Sequence, residues 1–239
     1  MGKFRPTGEY MREISLDTET TGLSYTDGDR ITEIGCVEII DKIITGNTFH
    51  TYINPERELS PDAERITGLT YEKLKEFGKF ADIYQDFLNF VKDDRLVIHN
   101  AKFDIGFLNY ELGLVGATQF SMDNVIDTLD MARKKYPGSP ATLDALCKKF
   151  TIDSSIRSKH GALIDADLLA QVYVIMSVER IQKNIFGSKL NDMELVPTER
   201  AKINYALFDN RSLSVISEVE LARHAELISK IKNPIWYKY

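Results

Sequence analysis

Apolar residues recur along the chain with two different periods, and the places where one period gives way to the other mark out the elements. Glu13 to Asp17, Arg30 to Ile40 and Lys42 to Ile53 are rich in Ile, Val and Thr with period-two character, which predicts three opening strands. Pro61 to Leu74 reads as short helices around a Thr67-Gly68 turn. Ala81 to Val91 carries Ile83, Phe87, Leu88 and Val91 at helical spacing and predicts a helix facing the core. Arg95 to His99 is a compact apolar strand, and Phe103 to Leu114 places Phe103, Phe107, Leu108 and Leu112 on one helix face. Val125 to Leu129 reads as another strand and Pro137-Gly138-Ser139-Pro140 as a break. Thr142 to Phe150 then begins a helix, and Gly161 to Val178 forms the longest one. Strands that first follow one another and then alternate with helices predict an α/β sheet flanked by helices.

From Glu179 to Ser217 the periodicity fades into a mixture of Gly, Asn, Pro and charge. It returns from Glu218 to Ile231, where Leu221, Ala225, Ile228 and Ile231 share one side. The expected organisation is a main domain over residues 1–180 and, over 181–239, a flexible linker and tail that ends in a short helix. A lone amphipathic helix after a linker has no partner of its own, so it is expected either to dock in a groove of another protein or to pack back on the domain.

Composition narrows the classes. The chain of 239 residues is 43% hydrophobic and 28% charged, which fits a folded domain rather than a disordered or collagen-like one. Thirty basic residues against 36 acidic ones give a net charge of -6, which argues against holding nucleic acid by bulk electrostatics. The acidic excess lies before residue 178, and the tail is slightly basic. Cys36 and Cys147 stand far apart with no CxxC pair, so neither a zinc site nor a disulfide framework is expected. No stretch has the length and apolarity of a membrane span or a signal peptide, so a cytoplasmic protein with no membrane partner is expected.

Three stretches carry candidate chemistry. In Leu16-Asp17-Thr18-Glu19-Thr20-Thr21-Gly22-Leu23, strand geometry points Asp17 and Glu19 to the same face, where two carboxylates repel unless a cation or proton intervenes. In Val97-Ile98-His99-Asn100-Ala101-Lys102-Phe103-Asp104, a strand ends and a helix begins at the position where open α/β sheets place their ligands, with Asp104 in the helix's first turn. In His160-Gly161-Ala162-Leu163-Ile164-Asp165, the aspartate sits among apolar neighbours, where an acid is costly unless it reaches solvent or metal. His160 precedes that helix and does not share its face with Asp165. Each stretch alone has a plainer reading: a solvated strand face, a helix-start acid, a structural histidine.

Taken together and in order, the three stretches resemble the DEDDh exonucleases, the DnaQ-like branch of the 3′–5′ nucleases, over the whole first domain. The histidine stands five residues before the last aspartate. The sister branch would place a tyrosine four before it, a position occupied here by Gly161. The resemblance implies an RNase H-like mixed sheet flanked by helices. It further implies that Asp17, Glu19, Asp104 and Asp165 hold two Mg²⁺ or Mn²⁺ ions and that His160 is the general base. Independent chemistry agrees, since two ions about 3.5–4 Å apart suit phosphodiester hydrolysis and hard oxygen donors suit these metals. An imidazole titrates near neutral pH and takes a proton from the attacking water, a task for which His160 is preferred over His99. Thr20 and Leu23 would line the terminal-nucleotide pocket, Leu23 as an apolar wedge with Phe107 beside it, although Phe107 equally suits the core. Thr67 stands where many relatives carry histidine.

The tail resembles the ends of the proofreading subunits of bacterial replicative DNA polymerases. That likeness implies removal of mismatched 3′-terminal nucleotides from single-stranded or frayed DNA, with Leu221, His224, Ile228 and Trp236 contacting the polymerase (alpha) subunit. Tethering of this kind supplies effective concentration that an acidic domain lacks. Gln182, Ile185 and Phe186 resemble the short peptides that dock on the sliding clamp, with the frayed end of the long helix as the alternative, and a small theta-like subunit is a further implied partner. Two other readings stand beside this one: an RNase T or oligoribonuclease-like enzyme acting on RNA 3′ ends, and a mainly structural polymerase subunit.

Overall fold

The computed structural model describes residues 10–155 and 159–186, with side chains to residue 178. All of these belong to the first of two compact units, residues 1–191. Strands β1 (Arg12–Thr20), β2 (Ile31–Ile40) and β3 (Ile43–Tyr52) form an antiparallel meander. Asp41 and Lys42 both take positive φ at its second turn, as a tight hairpin requires. Helices α1 (Pro61–Thr67), α2 (Tyr71–Leu74) and α3 (Phe80–Val91) lead to β4 (Arg95–Ile98), which lies parallel to β1. Helix α4 (Ala101–Leu114) then leads to β5 (Val125–Asp127), parallel to β4, followed by α5 (Thr128–Lys135), α6 (Leu143–Lys149) and the long α7 (Ala162–Phe186). The sheet order is β3-β2-β1-β4-β5, a mixed five-stranded sheet with β1 at its centre.

Alternation along β1 explains how both faces of the sheet are covered. Ile14 and Leu16 point to one side, where they are buried with Ile34, Cys36, Leu96 and Ile98 against Phe87, Ile105, Leu108 and Leu112 of α3 and α4. On the other side Val37, Ile39 and Val97 pack on Ala166, Ala170 and Tyr173 of α7, whose small residues bring the helix close. Each buried side chain of this size contributes about 1.5–3 kcal/mol, whereas an exposed ion pair such as Arg65–Asp62 contributes about 0–1 kcal/mol. The frame that holds the site is therefore set by these two apolar layers. At the foot of β1, fully buried Glu13 accepts hydrogen bonds from the Tyr173 hydroxyl (2.7 Å) and from Lys42, which fastens α7 to the sheet.

Three differences from the sequence expectation stand out. β1 runs three residues beyond Asp17, so Asp17 and Glu19 both lie within a strand. The expected strand Val125–Leu129 stops at Asp127, whose carboxylate accepts from the backbone N–H groups of Leu129 and Asp130 and starts α5 instead. α7 continues eight residues past Val178. Cys36 and Cys147 are both buried, in separate apolar clusters.

Candidate active site

β4 lies parallel to β1 with Val97 opposite Ser15, so β1 runs on past the end of β4 to Thr20, at the carboxyl end of the central strands where open α/β sheets place a crevice for ligands. Asp17 and Glu19 are half-buried on the same face of β1, the face covered by α7. Opposite Asp17, in register, stands Gly35 of β2. A Cβ at Gly35 would come within 2.2 Å of the Ala162 carbonyl carbon and 2.3 Å of the Leu163 nitrogen. The bare backbone at this position lets the first turn of α7 rest directly on the sheet and delivers Asp165 to the two acids of β1.

Asp165 is 2% exposed, and its Oδ2 lies 3.1 Å from His160 Nδ1. His160 sits in the loop before α7, its backbone N–H bonded to the Ile66 carbonyl (3.2 Å) at the end of α1. Its side chain is 46% exposed and so is open to the crevice. Glu19, His160 and Asp165 each offer a ligand atom, and these atoms lie within 4.8 Å of one another. Behind the loop, buried Glu33 pairs with His50 Nε2 at 2.8 Å. A Cβ on Gly161 would stand 3.8 Å from Glu33 Oε1.

Asp104 enters from the other side of β1. It is 3% exposed in the first turn of α4, and its Oδ1 accepts from both the backbone N–H (3.1 Å) and the hydroxyl (2.7 Å) of Thr18. Thr18 lies between Asp17 and Glu19 and points oppositely, so it ties the fourth acid to the first two. No basic side chain pairs with Asp104 among the described residues. Burial, with the nearby Asp127 charge adding to it, outweighs the Thr18 hydrogen bonds and pushes the Asp104 carboxyl up to about 7. An acid this desolvated is ionised at neutral pH when a cation joins it, and the carboxylates of Asp17, Glu19, Asp104 and Asp165 are hard oxygen donors of the kind that suits Mg²⁺ or Mn²⁺.

The remaining candidates are placed as follows. Leu23 is 86% exposed beyond the end of β1, and the Thr20 hydroxyl donates to the Gly22 carbonyl at 2.6 Å. Phe107 is buried in the core beneath Tyr25 and Phe103. Thr67 is buried as well, and its hydroxyl donates to the Ala63 carbonyl and accepts from the Leu69 N–H. His99 is held away from the acids by Thr128, with 2.9 Å between Nδ1 and the hydroxyl oxygen, and burial keeps its imidazole below the ordinary range. Asp167 accepts from Gln171 one turn along α7. Gln182, Ile185 and Phe186 fall in the last turns of α7, and Leu221, His224, Ile228 and Trp236 lie outside the described residues. Sequence reasoning missed Thr18, Gly35 and the Ile66 carbonyl. A glycine inside an otherwise apolar strand was the one available signal, since it marks a close backbone approach.

Residues 14–173 match the family model described as "Exonuclease". In the solved nuclease domain of 3′hExo, a DEDDh family member bound to rAMP, the same fold recurs with a TM-score of 0.62 at 20% identity, covering 72% of this chain and 94% of that one. The DNA polymerase III subunit epsilon of Rickettsia felis is 46% identical over 227 residues, which are 92% of this chain and 97% of the relative. The protein of the same name from Haemophilus influenzae is 38% identical over 245 residues, 95% of each. The chain belongs to the exonuclease family and, within it, to the DNA polymerase III subunit epsilon group.

Proposed function

We propose that this exonuclease removes mismatched nucleotides from DNA 3′ ends as the proofreading subunit of a replicative polymerase. The observation that carries the proposal is the convergence of Glu19, His160 and Asp165 within 4.8 Å at the crevice where β1 and α4 also present Asp17 and Asp104. Asp17, Glu19, Asp104 and Asp165 are the ligands in this reading, for Mg²⁺ or Mn²⁺. Two such ions, when bound, stabilise the departing 3′-oxygen and acidify the attacking water. Asp165 orients the imidazole through Nδ1, so His160 presents Nε2 to the crevice and takes the proton there. Its exposure leaves room for that ring to reach the water. Leu23 and Thr20 receive the last nucleotide, and Phe107 supports them from the core.

Relatives at 38–46% identity over nearly the whole chain support the DNA reading over an RNA 3′-exonuclease. The complete set of acids supports an active enzyme over a purely structural subunit. The tail over 181–239, with Leu221, His224, Ile228 and Trp236, is assigned to the polymerase (alpha) subunit. Gln182, Ile185 and Phe186 are assigned to the sliding clamp, and a small theta-like subunit completes the proposed set. The test is a 5′-labelled primer, matched or mismatched at its 3′ end, annealed to template and incubated with the protein and purified polymerase. Faster loss of the mismatched terminus is expected, together with co-elution of the two proteins. Equal loss of both termini, or preference for an RNA primer, would oppose the proposal.

A further inference from the structure

Glu33 is a buried acid with no part in the chemistry proposed for the crevice. It is 4% exposed on β2 and stands directly opposite Glu19 in the β1–β2 register, so the two side chains leave the sheet on the same face. Cβ atoms of residues opposed in this way are about 4.5–5.5 Å apart, and like charges so placed repel. Burial of an unpaired carboxylate would add to that cost. Glu33 thus stands where its side chain is long enough either to join the cation ligands or to push Glu19 aside. Yet among the described residues the possible ligand atoms that lie within 4.8 Å of one another belong to Glu19, His160 and Asp165, and Glu33 is outside that group.

His50 accounts for this placement. Its Nε2 lies 2.8 Å from Glu33 Oε1, and since a carboxylate only accepts, the imidazole donates. His50 is opposite Gly35 on β3 and Tyr52 is opposite Glu33, so the hydrogen bond runs diagonally across the ladder and draws the carboxylate toward β3, away from β1. The imidazole is braced in turn. Tyr52 meets it edge-on at 5.0 Å, and Tyr52 packs on Phe77 at 5.2 Å. A Cβ on Gly161 would stand 3.8 Å from Glu33 Oε1, so the carboxylate lies against the residue that joins His160 to α7. An ion pair with one partner partly open to solvent adds little to stability, which leaves the placing of Glu33 as what the bond accomplishes.

We propose that His50 is a positioning residue for the metal site. By fastening Glu33 to β3 beside Gly161, it keeps a fifth carboxyl away from the cations and leaves Glu19 to meet them. The inference rests on the exonuclease reading of the site and on Asp17, Glu19, Asp104 and Asp165 as its ligands.

The test uses the full chain, with Mn²⁺ binding measured by calorimetry after EDTA treatment and kcat and KM measured on the oligonucleotide (dT)8. His50→Phe keeps a ring against Tyr52 but offers Glu33 no donor. The released carboxylate is expected to turn to the cations, tightening Mn²⁺ binding by about fivefold, because affinity follows the number of charged ligands. The disturbed geometry should lower kcat by about tenfold or more, with KM within about twofold. His50→Gln, whose amide can donate to Glu33, should restore the wild-type values. Adding Glu33→Met to His50→Phe removes the released acid and should restore them as well, and Glu33→Met alone should leave them within about twofold of the wild type. A pair that serves stability alone would lower the melting temperature of His50→Phe while Mn²⁺ affinity and kcat stay unchanged below the transition, and that result overturns the proposal. A double variant as impaired as His50→Phe overturns it too. If His50→Phe does not fold, Glu33→Met decides, since a loss of about tenfold in Mn²⁺ affinity or kcat would make Glu33 a working part of the site rather than an acid held out of it. A wild-type chain that binds no Mn²⁺ and leaves (dT)8 intact counts against the exonuclease reading, and the role of His50 falls with it.

Discussion

At the residue scale, Asp104 ties the chemistry of the site to the stability of the fold. Its carboxyl is held up to about 7 against an ordinary value of 3.8. Without metal, the unfolded chain releases this proton before the native one does. The native state therefore loses stability as the pH rises from about 4 to about 7, after which the loss levels off. A divalent cation takes the proton's place, so the stabilisation it gives should grow over the same window. Thermal melts in EDTA are expected to fall between pH 5 and pH 8, and the increment from added Mn²⁺ to be larger at pH 8. Asp104→Asn should flatten the EDTA series, and an increment of equal size at both pH values would contradict this account. His160→Ala is expected to lower kcat by about 10²–10⁴-fold while Mn²⁺ binding measured by calorimetry persists. His99→Ala should instead lower the melting temperature, because His99 links the end of β4 to α5 through Thr128.

At the scale of elements, the site depends on how closely α7 approaches the sheet. Gly35→Ala places a methyl group where the first turn of α7 already stands. Overpacking of this kind costs about 1–3 kcal/mol, and the helix relieves it by moving outward with Asp165. Activity is expected to fall by more than tenfold in a protein that still unfolds cooperatively, and wild-type kcat in this variant would show that the close approach is unnecessary. The same contact shows what the sequence could and could not convey. Alternation made β2 and β3 readable, and helical spacing made α3 and α4 readable, because each signal lies within one element. Asp17, Glu19, Asp104, His160 and Asp165 could be singled out from three short motifs. Thr18 as the link to Asp104, Gly35 as the seat of α7 and Ile66 as the anchor of the His160 loop depend on pairs 86, 127 and 94 residues apart, which no local period encodes. The start of α5 was missed for a local reason, since Val125, Ile126 and Leu129 read as one apolar strand until Asp127 is seen to cap a helix.

At the scale of the whole molecule, catalysis and attachment are assigned to different parts of the chain. The described residues hold the five candidate catalytic groups within the first compact unit, residues 1–191. A chain ending at Asn191 is therefore expected to degrade single-stranded DNA at close to the full-length rate while losing co-elution with the polymerase. A shortened chain that still co-elutes would move the attachment surface onto the exonuclease domain. No helix among the described residues is long and apolar enough to cross a membrane.

The central claim is that four carboxylates hold two cations while His160 stays outside the metal shell as the base. Because His160 lies with Glu19 and Asp165 in one group of possible ligands, a single ion bound by all three is the direct competitor. Crystals grown with Mn²⁺ and thymidine 5′-monophosphate, measured near the manganese absorption edge, separate the two arrangements. Two anomalous peaks about 3.5–4 Å apart are expected, contacted by Asp17, Glu19, Asp104 and Asp165, with no imidazole nitrogen coordinated. One peak bound through His160, with Asp104 uncoordinated, would contradict it.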